Sequence, residues 1–156
     1  DMAHAAAAVE TITSKAIELI DQHGQPLPGV PETLDIFRSH QFRIGLATSS
    51  PLELVEVVIN KLGLHGQFDA ITSAQHLPFG KPNPQVYINC AEALQVPPMN
   101  CVAFEDSFNG MIAAKAARMK CVVVPAADHF HLPQWNAADL KLNSLAAFQP
   151  AHLSAL

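Results

Sequence analysis

Three short stretches of this chain carry residue types that can act on a common ligand: Thr48-Ser49-Ser50, Lys81, and the adjacent carboxylates Glu105 and Asp106. Cys101 to Phe104 is an apolar run that ends in the acidic pair, and Ser107, Asn109 and Gly110 then lead into an alanine-rich helical pattern. That reads as a buried strand, a turn and a helix, with the carboxylates at the strand's C-terminal end, the edge where open α/β sheets bind ligands. Two neighbouring carboxylates repel each other and lose hydration on burial, so they need a cation, a proton or open solvent. Hard oxygen ligands at such a place suit Mg²⁺, which shares its shell between one or two carboxylates, water and phosphate. The plain alternative is a solvated turn.

Thr48-Ser49-Ser50 follows a second apolar run, Phe42 to Ala47, and opens a second helical pattern. Ser50 with Glu53 three residues on has the spacing of a capping box, and Pro51 suits a first helical position. Hydroxyls and free N–H groups at a helix start form an anion site, or they are ordinary capping. Lys81 lies in Phe79-Gly80-Lys81-Pro82-Asn83-Pro84, where the prolines restrict the backbone and so the direction of the ammonium. By itself it could equally be a solvated surface lysine. His129 and His131 lack nearby companion ligands and read as a surface loop; Trp135 reads as packing.

The elements that must position these groups alternate. Ala5, Val9, Ile12, Ala16 and Leu19 recur at helical steps, so residues 2–22 form an amphipathic helix stopped at Gly24. A proline-rich linker precedes a helix from Pro31 to about His40. Strands follow at 42–47, 68–73, 101–105, 121–124 and 140–142, with helices at 51–62, 84–94 and 108–118 between the first four. Val55, Val58, Ile59 and Leu62 give the 51–62 helix its apolar stripe. Such alternation defines an α/β fold, a parallel sheet covered by helices on both faces.

Composition narrows the partners. The chain has 156 residues, enough for one domain with a real core, and 49% are hydrophobic against 15% charged, which excludes a disordered chain. A net charge of −5 argues against nucleic acid or an anionic membrane as the main partner. No apolar run reaches the length of a membrane span, and residues 5–9 lack the basic flank of a signal peptide. Three cysteines without CxxC spacing read as buried reduced thiols, the usage of a cytoplasmic protein.

Taken together, Thr48, Lys81 and Glu105-Asp106 supply a hydroxyl, an ammonium and metal-binding carboxylates, which is what a phosphoryl group needs around its oxygens. At this point the sequence resembles the haloacid dehalogenase-like (HAD) hydrolases, over most of its length from about Leu27 to Val124. The resemblance rests on the Leu27-Pro28-Gly29-Val30 linker, on Gly45 to Ser50, on Lys81-Pro82-Asn83-Pro84 and on Glu105-Asp106-Ser107 with Gly110. The longer phrases PQVYINCA and EDSFNGMIAAKAARM are most similar to sugar-phosphate phosphatases of the β-phosphoglucomutase-like branch, near hexitol- and 2-deoxyglucose-6-phosphate phosphatases. It implies a three-layer, Rossmann-like core in which Thr48, Ser49 and Ser50 bind phosphate. Thr48 and Lys81 would be catalytic; Lys81 would neutralise charge on the phosphate and on a nucleophilic Asp. Glu105 and Asp106 would bind Mg²⁺ directly or through water, and the substrate would be a small phosphorylated sugar or polyol.

The family's first motif, DxDx[TV], which supplies the nucleophile and the acid/base, has no counterpart in the 156 residues. The resemblance therefore implies that residues 1–24 end a helical cap and that 25–156 form a core without its first strand, inactive alone. A non-catalytic phosphate- or partner-binding protein and a sugar-phosphate mutase are the other readings. A response-regulator receiver carries similar groups, but there the acidic pair precedes the Thr and Lys. In the family the missing strand would lie between 42–47 and 101–105. Those two strands are expected to close onto each other; self-association through their unpaired edges is the other outlet.

Overall fold

The computed structural model describes residues 2–156, and the side chains of 7–154 and 156 among them. Helices α1 (Met2–His23) and α2 (Val30–Ser39) are followed by β1 (Gly45–Thr48), α3 (Leu52–Leu62), β2 (Ala70–Ser73) and α4 (Gln85–Ala93). Then come β3 (Val102–Glu105), α5 (Phe108–Ala116), β4 (Lys120–Val123), β5 (Leu140–Lys141) and short 3₁₀ turns at the C-terminal end. Every strand pairing is parallel, with Thr48 opposite Ser73, Glu105 opposite Val123, and Val123 opposite Lys141. The α/β expectation is met; four of the five strands are a residue or more shorter than the apolar runs that announced them, and β4 has the expected length shifted back by one residue.

Burial on both strand faces explains those runs. Ala103, Cys121 and Val123 pack with Val86, Tyr87 and Ala91 of α4 and with Met111, Ala113 and Ala114 of α5. The alternate residue Val122 points the other way, into a second core with Phe37 of α2, Leu142 and Phe148. Beside β2, Ile71 opens into a groove shared with Leu52, Val55 and Ile59 of α3, while the Thr72 hydroxyl donates to the Val86 carbonyl of α4 at 3.2 Å. The β3-β4-β5 sheet is thus covered on both faces, as strands apolar on two sides require, whereas β1-β2 carries α4 on one face and leaves Ile71 exposed on the other. Gly29 caps α2 with φ of +91°, and a methyl group there would overlap the backbone nitrogen of Ala146. Both the left-handed turn and the close approach of the 3₁₀ turn Leu145–Ala147 therefore need glycine.

Two expectations are corrected. The 42–47 and 101–105 runs do not close onto each other. β1 pairs with β2 alone and β3 with β4, leaving two sheets, ordered β1-β2 and β3-β4-β5. The physical reason is the shared helical layer: α4 lies on β1 and β2, α5 on β3 and β4, and the two helices pack into one core. Sliding the sheets together would break that packing.

The stripe on α1 is also different. Val9, Ile12 and Leu19 are exposed, and Ala5 lies outside the described side chains. The face turned inward is Thr13, Ala16, Ile17 and Ile20. It accompanies docking of α1 on α3, where Lys61 Nζ donates to the Asp21 carbonyl at 2.5 Å. No helix among the described residues is long and apolar enough to cross a membrane.

Candidate functional site

The three stretches meet at the C-terminal ends of β1 and β3. Lys81 Nζ donates to the Ala47 carbonyl at 3.0 Å and to Glu105 Oε1 at 2.5 Å. The Thr48 carbonyl is bonded to Ala74 N on the β2 side, so its neighbour's carbonyl faces away from β2 into the space between the sheets. One ammonium therefore bridges the open edge of β1 and the end of β3.

The Lys81–Glu105 pair is largely dry, with side chains 15% and 6% exposed. A buried carboxylate needs several donors to offset lost hydration. Glu105 has them. Oε1 also accepts from the Tyr87 hydroxyl, and Oε2 accepts from Ser107 Oγ at 3.0 Å. Ser107 in turn caps α5, its Oγ accepting from Gly110 N at 3.0 Å. Burial first, and then the Glu105 charge, push the Tyr87 phenol far above its ordinary range, so it stays a donor.

Asp106 is exposed, and no hydrogen bond or ion pair engages its side chain among the described residues. The two adjacent acids are thus placed differently, Glu105 turned into the core and Asp106 out to solvent. No group of three or more His, Cys, Asp or Glu side chains suited to a metal is found among the described residues.

The capping box expected at Ser50 and Glu53 is not formed. Pro51 is the N-cap of α3 and no side chain of its own loop caps it. Gln75 does so from beyond β2, its Oε1 accepting from Leu52 N at 2.7 Å. Thr48 Oγ1 instead accepts from Ser50 N at 3.0 Å, and the Ser73 hydroxyl donates to the Ser50 carbonyl at 2.6 Å. Pro51 lacks an N–H, and Ser50 N and Leu52 N are committed; Ser49 N, next to the half-buried Thr48, has no partner among the described residues, and neither has Glu53 N in the first turn of α3.

Sequence reasoning did not single out Tyr87, Ser73 or Gln75. Tyr87 is the chain's only tyrosine and lies one helical turn after Pro84, six residues after Lys81. That spacing puts it on the helix face nearest the lysine, which is the signal that could have found it. Ser73 and Gln75 left none, because only the β1-β2 pairing brings them to Ser50 and to Leu52 at the start of α3. Trp135 is buried as expected, its indole donating to the His129 carbonyl at 2.8 Å, and His129 and His131 lie exposed in a loop. The cysteines are free, Cys90 and Cys121 buried and Cys101 half-buried.

A parallel α/β fold thus carries an ammonium, a hydroxyl loop and a pair of carboxylates at adjoining strand ends. The haloacid dehalogenase-like hydrolase family model matches residues 3–118, and the chain belongs to that family, in its β-phosphoglucomutase-like branch. Hexitol phosphatase B of Escherichia coli (strain K12) is 47% identical over 137 residues, 88% of this chain and 62% of that protein. Fructose-1-phosphate phosphatase YqaB of the same strain is 37% identical over 102 residues, covering 64% of this chain and 52% of that one. Among solved structures, CbbY from Rhodobacter sphaeroides in complex with phosphate matches with a TM-score of 0.77 at 31% identity, over 86% of this chain and 61% of that one. β-Phosphoglucomutase from Clostridium difficile matches with a TM-score of 0.77 at 28% identity, over 88% and 60%. The chain spans less than two thirds of the length of each of these relatives.

Proposed function

We propose that the chain is the phosphoryl-binding part of a Mg²⁺-dependent phosphatase of small phosphorylated sugars or polyols. The observation that carries this reading is the Lys81 ammonium, fixed between the Ala47 carbonyl and buried Glu105 beside the Thr48-Ser49 turn. An ammonium has three donors. Two are committed to strong partners here, and the charge remains available to an anion entering beside Thr48. Thr48 Oγ1 and Ser49 N would bond the phosphoryl oxygens, and Lys81 would offset their charge as it grows during transfer.

The carboxylates suit a hard cation in part. Asp106 is open to solvent, and Glu105 Oε2 has one donor, so a metal would take Asp106 directly and Glu105 at most at the margin. Bound there, Mg²⁺ would supply positive charge toward the phosphoryl oxygens. Two carboxylates are a partial shell, so weak occupancy is expected. Covalent phosphoryl transfer needs a nucleophile, and no D-x-D pattern exists among these residues, so binding without turnover is the expected behaviour of this chain.

Titration calorimetry with inorganic phosphate and Mg²⁺ tests the reading. Phosphate should bind, and Lys81→Ala should weaken it at least tenfold; equal affinity in the variant would overturn the assignment. Turnover of p-nitrophenyl phosphate by the chain alone would overturn the expectation of inactivity. The missing D-x-D also favours a second reading, a non-catalytic phosphate-binding protein. The two separate when a strand carrying that motif is restored by fusion: hydrolysis follows only for the phosphatase.

A further inference from the structure

We propose that Tyr87 is a positioning residue for Lys81, acting through Glu105 and holding the ammonium at the mouth of the space between the two sheets. The inference rests on the phosphoryl-binding reading for its purpose, but not for its geometry. Tyr87 is 7% exposed and belongs to the main core, so filling space is the role its burial alone would give it. Its polar end does more. The hydroxyl donates to Glu105 Oε1, the same oxygen that Lys81 Nζ reaches at 2.5 Å, and Nζ lies 3.4 Å from that hydroxyl. The ammonium also sits 4.7 Å from the centroid of the Tyr87 ring. Lysine, glutamate and tyrosine thus form a closed triangle with the ring as its floor.

Each corner restrains the others. Ser107 holds only Glu105 Oε2, so without the phenol the carboxylate can turn about its last torsion. Lys81 would then follow Oε1 away from the Ala47 carbonyl. The ring blocks the other escape, toward the core, and its π-face favours a cation there. Packing alone is satisfied by phenylalanine, which keeps ring and volume; positioning is not. Tyr87→Phe therefore separates the two roles.

The test uses the ¹⁵N-labelled chain and two readouts at one fixed pH. Lysine ammonium groups give ¹H–¹⁵N signals only when hydrogen bonds slow their exchange with water. The wild-type chain should show one that disappears in Lys81→Arg, and Tyr87→Phe should lose the same signal while still unfolding cooperatively. Calorimetry with inorganic phosphate should give an affinity about tenfold lower in Tyr87→Phe, the scale of one hydrogen bond to a charged group. The same substitution should have no further effect in a Glu105→Gln background. A Lys81 signal that persists in Tyr87→Phe, or that is absent from the wild type, overturns the proposal. If the wild type binds no phosphate, the phosphoryl-binding reading fails and the ammonium signal alone decides the role of Tyr87. Should Tyr87→Phe not fold, 3-fluorotyrosine marks this position alone, since the chain has one tyrosine. The stronger donor should shift the Lys81 signal, and no shift overturns the proposal.

Discussion

Gly110 makes room for the Glu105 carboxylate: a methyl group on Gly110 would overlap the carboxylate carbon and both oxygens. The glycine sits in the first turn of α5, and its N–H is tied to Ser107, which also donates to Glu105. The carboxylate can turn inward toward Lys81 only because this turn has no side chain on that side.

Gly110→Ala is therefore expected to destabilise the chain by about 1–3 kcal/mol, the usual range for overfilling a packed site. Alanine's better helix propensity offsets less than about 1 kcal/mol of that. Gly80→Ala is the control, since a methyl there makes only ordinary contact with Ser49 Oγ at 3.6 Å. Urea unfolding should shift the midpoint for the first variant and leave it nearly unchanged for the second.

Lys81→Ala removes one partner of a buried pair and leaves Glu105 with Tyr87 and Ser107 as donors. Breaking such a pair costs about 3–5 kcal/mol, and the two remaining donors put this case at the low end. Adding Glu105→Gln should recover most of the loss, because the uncompensated charge is then gone. A double-mutant cycle on chemical unfolding checks both statements.

Gln75→Ala takes away the bond to Leu52 N and with it the side-chain cap of α3. A lost cap is worth about 1 kcal/mol. The freed N–H lies in the same loop as Ser49, so phosphate should bind at least as well as before. Melting temperature and calorimetry together distinguish this outcome from general damage to the loop, which would lower both.

Asp139 should mark the acid limit of the fold. Its carboxylate accepts from Lys115 Nζ at 2.6 Å and Cys121 N at 2.8 Å, while its own N–H donates to the Cys121 carbonyl at 2.9 Å, pinning the start of β5 against β4. Burial alone would raise its pKa, but the Lys115 and Cys121 bonds prevail and hold it below the ordinary 3.8. In the window between those two values the unfolded chain binds more protons, so stability rises with pH there. The contribution is complete above the unfolded value and disappears as pH falls through the lowered folded one. Asp139→Asn should flatten unfolding free energy against pH in the region below roughly pH 4.

The sequence by itself determined the order of elements, the fold class and the family. Those follow from signals that act within a few residues: apolar runs long enough for buried strands, Pro31 at the start of α2 and Gly63 at the end of α3, and the motif residues around Thr48, Lys81 and Glu105. It failed where a local pattern had a distant competitor. Ser50 and Glu53 had capping spacing, yet Gln75 caps α3 because the β1-β2 pairing brings it there. Val9, Ile12 and Leu19 formed an apolar stripe, but a neighbouring face of α1 meets α3. Only the tertiary structure decided that Glu105 faces inward and Asp106 outward. Adjacent residues at a strand end point to opposite sides, and the choice between them depends on what lies across the gap. Here Lys81 from a loop and Tyr87 from α4 lie across it, and no local rule ties their positions to the strand that carries the acids; Ser107, two residues on, only secures the inward choice.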